Sequence, residues 1–149
     1  MRAVIQRVSE ASVRVDNHII GQVGRGLLVL LGISTSDTKI EAESLSEKIV
    51  NLRIFSDEAG KFAFSVQDVQ GELLVVSQFT LYGDARKGRR PSFTDAAGID
   101  SALPLYEYFV ECIKRHRVRV ATGQFQATMA VQLVNDGPVT LILDTSERK

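Results

Sequence analysis

Gly26-Leu27-Leu28-Val29-Leu30-Leu31-Gly32-Ile33 is an apolar run of strand length, far short of the roughly 20 residues that cross a bilayer. It reads as a core strand. Working outward, similar segments recur at Ala3 to Val8, Ser12 to Val15, Leu73 to Tyr82, Val118 to Ala121, Gln126 to Val134 and Val139 to Leu143. They alternate or run apolar over strand lengths, so β structure should dominate. Asp16-Asn17, between Val13-Arg14-Val15 and Ile19-Ile20, reads as a hairpin turn, because Asn and Asp tolerate left-handed backbone. Gln70-Gly71 and Asp57 to Lys61 punctuate the middle in the same way.

Two segments have helical spacing. Ile40, Leu45, Ile49 and Leu52 form one apolar stripe, with Thr38 and Glu41 placed for a capping box. Leu103, Tyr106, Phe109, Val110 and Ile113 form the other, capped by Asp100 or Ser101, with Pro104 tolerable in the first turn. Lys114, Arg115 and His116 oppose the negative end of that helix's dipole. Together these readings predict a single α+β domain over residues 1–149, a mainly antiparallel sheet forming a barrel-like core with two principal helices.

Apolar residues make up 44% of the chain and charged residues 24%, values of an ordinary folded protein rather than a disordered one. Arg2 and Arg7 interrupt the first residues, where a secretory signal needs a continuous apolar stretch, and a cytoplasmic location is expected. The single cysteine, Cys112, has no internal disulfide partner and fits a reducing compartment. Eighteen basic residues balance 18 acidic ones, so any nucleic-acid contact must be local. Arg86, Lys87, Arg89 and Arg90 place four cations in five positions. On charge alone that run is either a phosphate grip or a solvated loop.

The two histidines, His18 and His116, sit in unrelated contexts, and no metal or other cofactor is expected. Cys112 and His116 are four apart and in principle make a nucleophile and base, although a cysteine beside Phe109 and Ile113 reads more simply as core. Gly21, Gly24 and Gly26 do not match a dinucleotide fingerprint and suit a hairpin exit. Chemistry here must therefore lean on backbone amides, hydroxyls or the substrate. Ser77-Gln78-Phe79-Thr80-Leu81-Tyr82 interrupts the apolar run Leu73 to Val76 with polar residues. It is either an ordinary strand end or an opening where amides and hydroxyls face a ligand. Asn135-Asp136-Gly137-Pro138, between two apolar runs, reads by itself as a turn.

Taken together, Met1 to Val8, Gly26 to Gly32, Lys48 to Phe55, Gly71 to Phe93 and Val134 to Thr140 resemble the D-aminoacyl-tRNA deacylase family almost end to end. The most specific stretch is Gly71 to Phe93, with Ser77-Gln78-Phe79-Thr80-Leu81 and Arg86-Lys87-Gly88-Arg89-Arg90-Pro91-Ser92-Phe93, and the closing motif is Val134-Asn135-Asp136-Gly137-Pro138-Val139-Thr140. The resemblance implies hydrolysis of the ester of D-aminoacyl-tRNA, and of glycyl-tRNA, with L-aminoacyl substrates rejected. It implies an active-site strand at Ser77, Gln78, Phe79 and Thr80, a cis Gly137-Pro138 dipeptide that screens chirality, and Met129 as a pocket residue. It also implies a homodimer in which each dipeptide enters the partner's pocket. Gln126 and Thr128 depart from a family stretch that more often has glycine and an acidic residue there. Two rivals are a non-catalytic RNA-binding module and a hydrolase of free D-amino-acid esters or peptides. Catalytic turnover separates the first from the deacylase reading, and the scarcity of histidine argues against the second.

Overall fold

The computed structural model describes residues 1–147. Strand β1 (Arg2–Val15) organises the sheet. One edge of β1 pairs antiparallel with β3 (Gly26–Gly32) over its first half and with β2 (His18–Val23) over its second. Its other edge pairs antiparallel with β8 (Ala130–Asp144). The β1–β2 turn holds Asp16 at φ 50° and Asn17 at φ 63°, the left-handed pair that the two-residue hairpin requires.

Two further pairings are parallel, β3 with β6 (Glu72–Ser77) and β6 with β7 (Arg119–Thr122). Parallel neighbours need long crossovers. Helix α1 (Lys39–Asn51) and the short hairpin β4 (Phe55–Ser56) and β5 (Phe62–Phe64) fill the first, and helix α2 (Ile99–Lys114) fills the second. The sheet is thus mixed, and it curls until β7 meets β2 across a near-closed barrel. At that seam a Cβ added to Gly21 would lie 2.5 Å from the Thr122 carbonyl oxygen, so only glycine permits the approach.

Period-two alternation divides the core. Leu27, Val29, Leu31, Leu73 and Val75 face the helices and pack with Ile49, Phe109 and Ile113. Leu28, Leu74 and Val76 face the opposite way, against Val8 and Val13. Both faces of β3 and β6 are therefore buried, which explains their continuous apolar reading. The Tyr106 hydroxyl donates to the Val75 carbonyl at 2.7 Å and fixes α2 to β6; burial pushes that phenol's pKa up.

The helices follow the expected stripes with three corrections. At α1, the Thr38 hydroxyl accepts from the Ile40 amide, and the Glu41 carboxylate accepts from the Thr38 amide at 2.6 Å, completing the capping box. Ile40, however, is 72% exposed, because it sits in the first turn before the helix reaches the core. At α2 the cap is Gly98 rather than Asp100 or Ser101, and no side chain caps it. The earlier start moves Pro104 beyond the first turn, where it removes a bond to the Asp100 carbonyl. Among the strands, the expected Gln126 to Val134 segment begins only at Ala130, and Asn135 to Pro138 does not end it. Strand β8 passes through those residues with its register to β1 shifted on either side of Val8. Among the described residues, no helix is long and apolar enough to cross a membrane.

Candidate active site

The strand expected to continue through Tyr82 stops at Ser77. The Gln78 amide still donates to the Leu31 carbonyl at 2.7 Å, and then residues Phe79–Tyr82 coil into a 3-10 turn. Bonds from the Leu81 amide to the Gln78 carbonyl and from the Gly83 amide to the Thr80 carbonyl close it. Tertiary contacts decide this departure: the Arg2 guanidinium lies 4.5 Å over the Tyr82 ring and donates to the Leu81 carbonyl at 3.1 Å. Burial pushes the Tyr82 phenol pKa up to about 12, with Asp37 and Asp144 adding to the shift, so the ring stays neutral. Gly32 makes room, since a Cβ there would lie 3.0 Å from Leu81 Cβ and 3.2 Å from the Gln78 carbonyl oxygen.

A turn of this kind leaves its first amides, those of Phe79 and Thr80, without intrahelical acceptors. The Gln78 carboxamide donates to the Thr80 hydroxyl, which orients both groups. Phe79 is 57% exposed and packs edge-on against Phe93, ring centroids 5.2 Å apart.

Beside the turn opens a cavity of about 620 Å³, within the range of small-molecule sites. Its apolar walls include Ile33, Val76, Ala102, Phe125, Met129 and Val131, and Ser77, Gln78 and Gln126 supply polar groups. None of the side chains lining it is a carboxylate, imidazole, amine or thiol. Cys112 is buried within α2, His116 lies beyond that helix's end, and neither lines the cavity. The His18 Nδ1 donates to the Asp16 carbonyl of its own hairpin at 2.8 Å, and His18 does not line the cavity. Among the described residues, no group of three His, Cys, Asp or Glu side chains is placed to hold a metal.

The basic loop flanks Phe79. Mutual backbone bonds between Asp84 and Ser92 close it at its base. Arg86 pairs with the Asp84 carboxylate at 2.8 Å and holds it well down, to about 2. Lys87, Arg89 and Arg90 are exposed and have no ion pair among the described residues.

Gly137 and Pro138 lie elsewhere, joined by a cis peptide bond on an exposed stretch of β8. They do not line the cavity. Their neighbours are firmly held. The Asn135 amide nitrogen donates to the Arg7 and Val139 carbonyls at 2.9 and 3.1 Å. Arg7, only 8% exposed, donates to the Asp136 carbonyl at 3.1 Å and to the Ile54 carbonyl at 2.8 Å, and pairs with the Asp136 carboxylate. Within one chain, then, Ser77, Gln78, Phe79 and Met129 share a cavity with Thr80 bonded to its rim, while Gly137-Pro138 stands apart. Sequence reading missed Arg7. Its signal was a cation in the same alternating register as Ala3 and Ile5, both fully buried.

Comparison with known proteins gives the chain its family. The family model described as D-Tyr-tRNA(Tyr) deacylase matches residues 4–144. A protein of Roseiflexus castenholzii named D-aminoacyl-tRNA deacylase is 60% identical over 146 residues, 98% of this chain and 93% of the relative. One of Thermosipho melanesiensis with the same name is 56% identical, covering 99% of each chain. Among solved structures, one described as c-Myc DNA unwinding element binding protein superposes with a TM-score of 0.91 at 46% identity, covering 97% of this chain and 99% of the other. A probable eukaryotic D-amino acid tRNA deacylase shares the fold with a TM-score of 0.85 at 18% identity, covering 95% of this chain and 97% of the other. With its model matched over nearly the whole length, the chain belongs to the D-Tyr-tRNA(Tyr) deacylase family.

Proposed function

We propose that this protein hydrolyses the ester joining a D-amino acid to the terminal ribose of tRNA, releasing free D-amino acid and tRNA. The observation that carries the reading is a cavity with no ionisable side chain beside two amides at the open end of a turn. Such a site suits a substrate that brings its own polar chemistry. In aminoacyl-tRNA a hydroxyl neighbours the ester on the same ribose. Water adds to the ester carbonyl, the acyl–oxygen bond breaks, and the released ribose oxygen takes a proton that the neighbouring hydroxyl can relay. The amides of Phe79 and Thr80 receive the oxyanion, a role worth about 3 kcal/mol per donor in other enzymes. Ser77 and Gln78 shape the adjoining rim. The Thr80 hydroxyl positions water or substrate, and Met129 walls the pocket.

Chirality is read by exclusion, because a pocket that merely fits one side chain separates similar groups by only about 1 to 3 kcal/mol. The carbonyls of Gly137 and Pro138 hold the α-amino group and occupy the space an L side chain would need. Since that dipeptide lies outside its own chain's cavity, it acts in a second subunit's pocket, and the working unit is a homodimer with two composite sites. Glycyl-tRNA, lacking a side chain to exclude, is also a substrate. Lys87, Arg89 and Arg90, with Arg86 at the loop base, contact phosphates of the acceptor stem and make binding salt-dependent. The enzyme acts without a cofactor in the cytoplasm, where charged tRNA is found.

The deciding experiment compares release from D-tyrosyl-tRNA and L-tyrosyl-tRNA by the native protein and by a variant carrying Gly137→Ala and Pro138→Ala. Rapid D-selective release is expected, with selectivity lost in the variant. Absence of release above background would leave a non-catalytic RNA-binding module as the better account.

A further inference from the structure

Arg2 occupies a crossing point in the sheet. Within β1 it lies opposite Gly32 of β3 on one side and opposite Asp144 of β8 on the other. Its guanidinium reaches three partners from distant parts of the chain. Nε donates to Asp144 Oδ2 at 2.7 Å, Nη1 donates to the Leu81 carbonyl at 3.1 Å, and the group lies 4.5 Å over the Tyr82 ring. Asp144 is itself fixed. Its side chain is 8% exposed, and its other oxygen accepts from the Ser146 amide at 2.9 Å and the Ser146 hydroxyl at 2.7 Å. A line of bonds thus runs from the end of β8, through one planar cation, to the closing residues of the turn.

The turn needs a hold of this kind. Two backbone bonds close it, and a four-residue 3-10 segment has poor hydrogen-bond geometry and little cooperativity of its own. The Leu81 carbonyl is among the last of the turn, which find no donor within it, and Arg2 supplies that donor. A plain cross-strand ion pair between Arg2 and Asp144 would explain the Nε bond, and partly exposed pairs of that sort contribute little. It explains neither the Nη1 bond nor the stacking on Tyr82, both of which act on the turn.

We infer that Arg2 is a positioning residue whose guanidinium, locked by Asp144, fixes the orientation of the Phe79–Tyr82 turn and so aims the Phe79 and Thr80 amides. The inference rests on the deacylase reading, in which those amides meet the charge that develops on the ester oxygen. Arg2 touches no substrate. Its effect falls on the transition state, because a neutral ester carbonyl demands less of the donors than an oxyanion does. A guanidinium holds Asp144 and Leu81 with separate nitrogens in a rigid fork, whereas a lysine ammonium is a point charge on a flexible stem and cannot reproduce that geometry.

Arg2→Met, Arg2→Lys and Asp144→Asn are compared with native protein for kcat, KM and the D/L ratio on tyrosyl-tRNA, and for melting temperature. Arg119→Met is the control, because it removes another Arg–carboxylate pair, with Glu72, at the opposite end of β6. Arg2→Met should lower kcat about tenfold with KM within about twofold of native, the pattern of donors displaced rather than removed, and the D/L ratio should hold. Arg2→Lys should recover part of the loss, and Asp144→Asn should show a smaller fall of the same kind. Arg119→Met should keep native kcat. The amide 15N shifts of Phe79 and Thr80 should move in Arg2→Met and stay in place in Arg119→Met, which reads the turn without turnover. If Arg2→Met does not fold, Arg2→Lys carries the same comparison. Native kcat and native amide shifts in the folded Arg2 variants, or an equal fall of kcat in Arg119→Met, overturn the role of Arg2 and leave the deacylase reading intact. Absence of D-selective release by the native protein overturns both.

Discussion

The end of β6 and the middle of β8 are both places where a regular strand is interrupted, and they turn out opposite in form. At Ser77 the backbone coils away and leaves a hollow with apolar walls and no ionisable side chain. At Asn135 to Pro138 the strand keeps going, its register shifted, and presents exposed backbone that is clamped from behind by Arg7 and Asn135. The hollow has amides and apolar walls, and the dipeptide proposed to read the α-carbon lies outside it. That proposed wall, the cis Gly137-Pro138 dipeptide, has no hollow of its own. On the proposed reading the two regions are combined across a subunit boundary, and the division gives each part its own signature under mutation.

The largest effect is expected from Arg7→Ala, which acts on the wall and leaves the hollow untouched. Arg7 is nearly buried and supplies charged hydrogen bonds to Asp136, Ile54 and Ser56. Bonds of this kind contribute about 1.5 to 3 kcal/mol each, so their loss, partly offset by water, should cost about 2 to 4 kcal/mol of stability in chemical denaturation. At a temperature where the variant remains folded, its preference for D- over L-tyrosyl-tRNA should fall at least tenfold. Retention of full selectivity would show that the dipeptide holds its shape without the clamp, and the wall would then be a property of β8 itself.

Gly32→Ala is the matching probe of the hollow, with a smaller expected effect. The added methyl would press on Leu81 Cβ and on the Gln78 carbonyl oxygen, both at distances tighter than ordinary contact. Because Gln78 and Leu81 belong to the turn that presents the Phe79 and Thr80 amides, a displacement of a few tenths of an ångström falls on the proposed oxyanion donors. We expect kcat to fall roughly tenfold, a fraction of what losing a donor outright costs, while the D/L ratio stays near the native value. A change in the ratio with kcat preserved would reverse the assignment of functions to the two regions.

How much of this could be read from the sequence follows the range of the interactions involved. The α1 capping box was legible because Thr38 and Glu41 are three residues apart, and the β1–β2 turn because Asp16 and Asn17 carry their own backbone preference. The helix stripes and strand runs followed from periodicity. The parallel pairing of β3, β6 and β7 was not legible, since it depends on crossovers that alternation does not encode. Nor was the turn at Phe79, whose apolar and aromatic residues favour a strand until Arg2, from the start of the chain, fixes Leu81 and Tyr82. Asn135-Asp136-Gly137-Pro138 looks like a turn in isolation and is kept within β8 by Arg7, 129 positions away from Asp136. Family resemblance supplied the site motifs and implied a dipeptide serving the partner's pocket, and within one chain the two motifs do lie apart.

The smallest effect concerns the basic loop, which belongs to neither region and should leave both signatures untouched. Asp84 pairs with Arg86, and the hydrogen bonds from that guanidinium are the main cause holding its carboxyl to about 2 in the folded protein. The unfolded value is close to 3.9, so the folded state binds fewer protons at Asp84 than the unfolded state through the interval between them. The pair therefore stabilises the folded loop fully above about pH 5 and loses that contribution as the pH falls from about 4 towards 2. Arg86 is 87% exposed, so water and salt screen the interaction strongly. In Asp84→Asn the stability difference from native protein should be slight at neutral pH and should be mostly gone by pH 2, with 13C carboxyl shifts of Asp84 in the native protein recording the low titration directly. Releasing Arg86 also adds a fourth unpaired cation to Lys87, Arg89 and Arg90, so the salt dependence of tRNA affinity should steepen by up to about one counterion. The D/L ratio and kcat should be those of the native protein. A shift in either would tie the loop to the hollow through the Phe79–Phe93 contact, and the flank would have to be counted as part of the site.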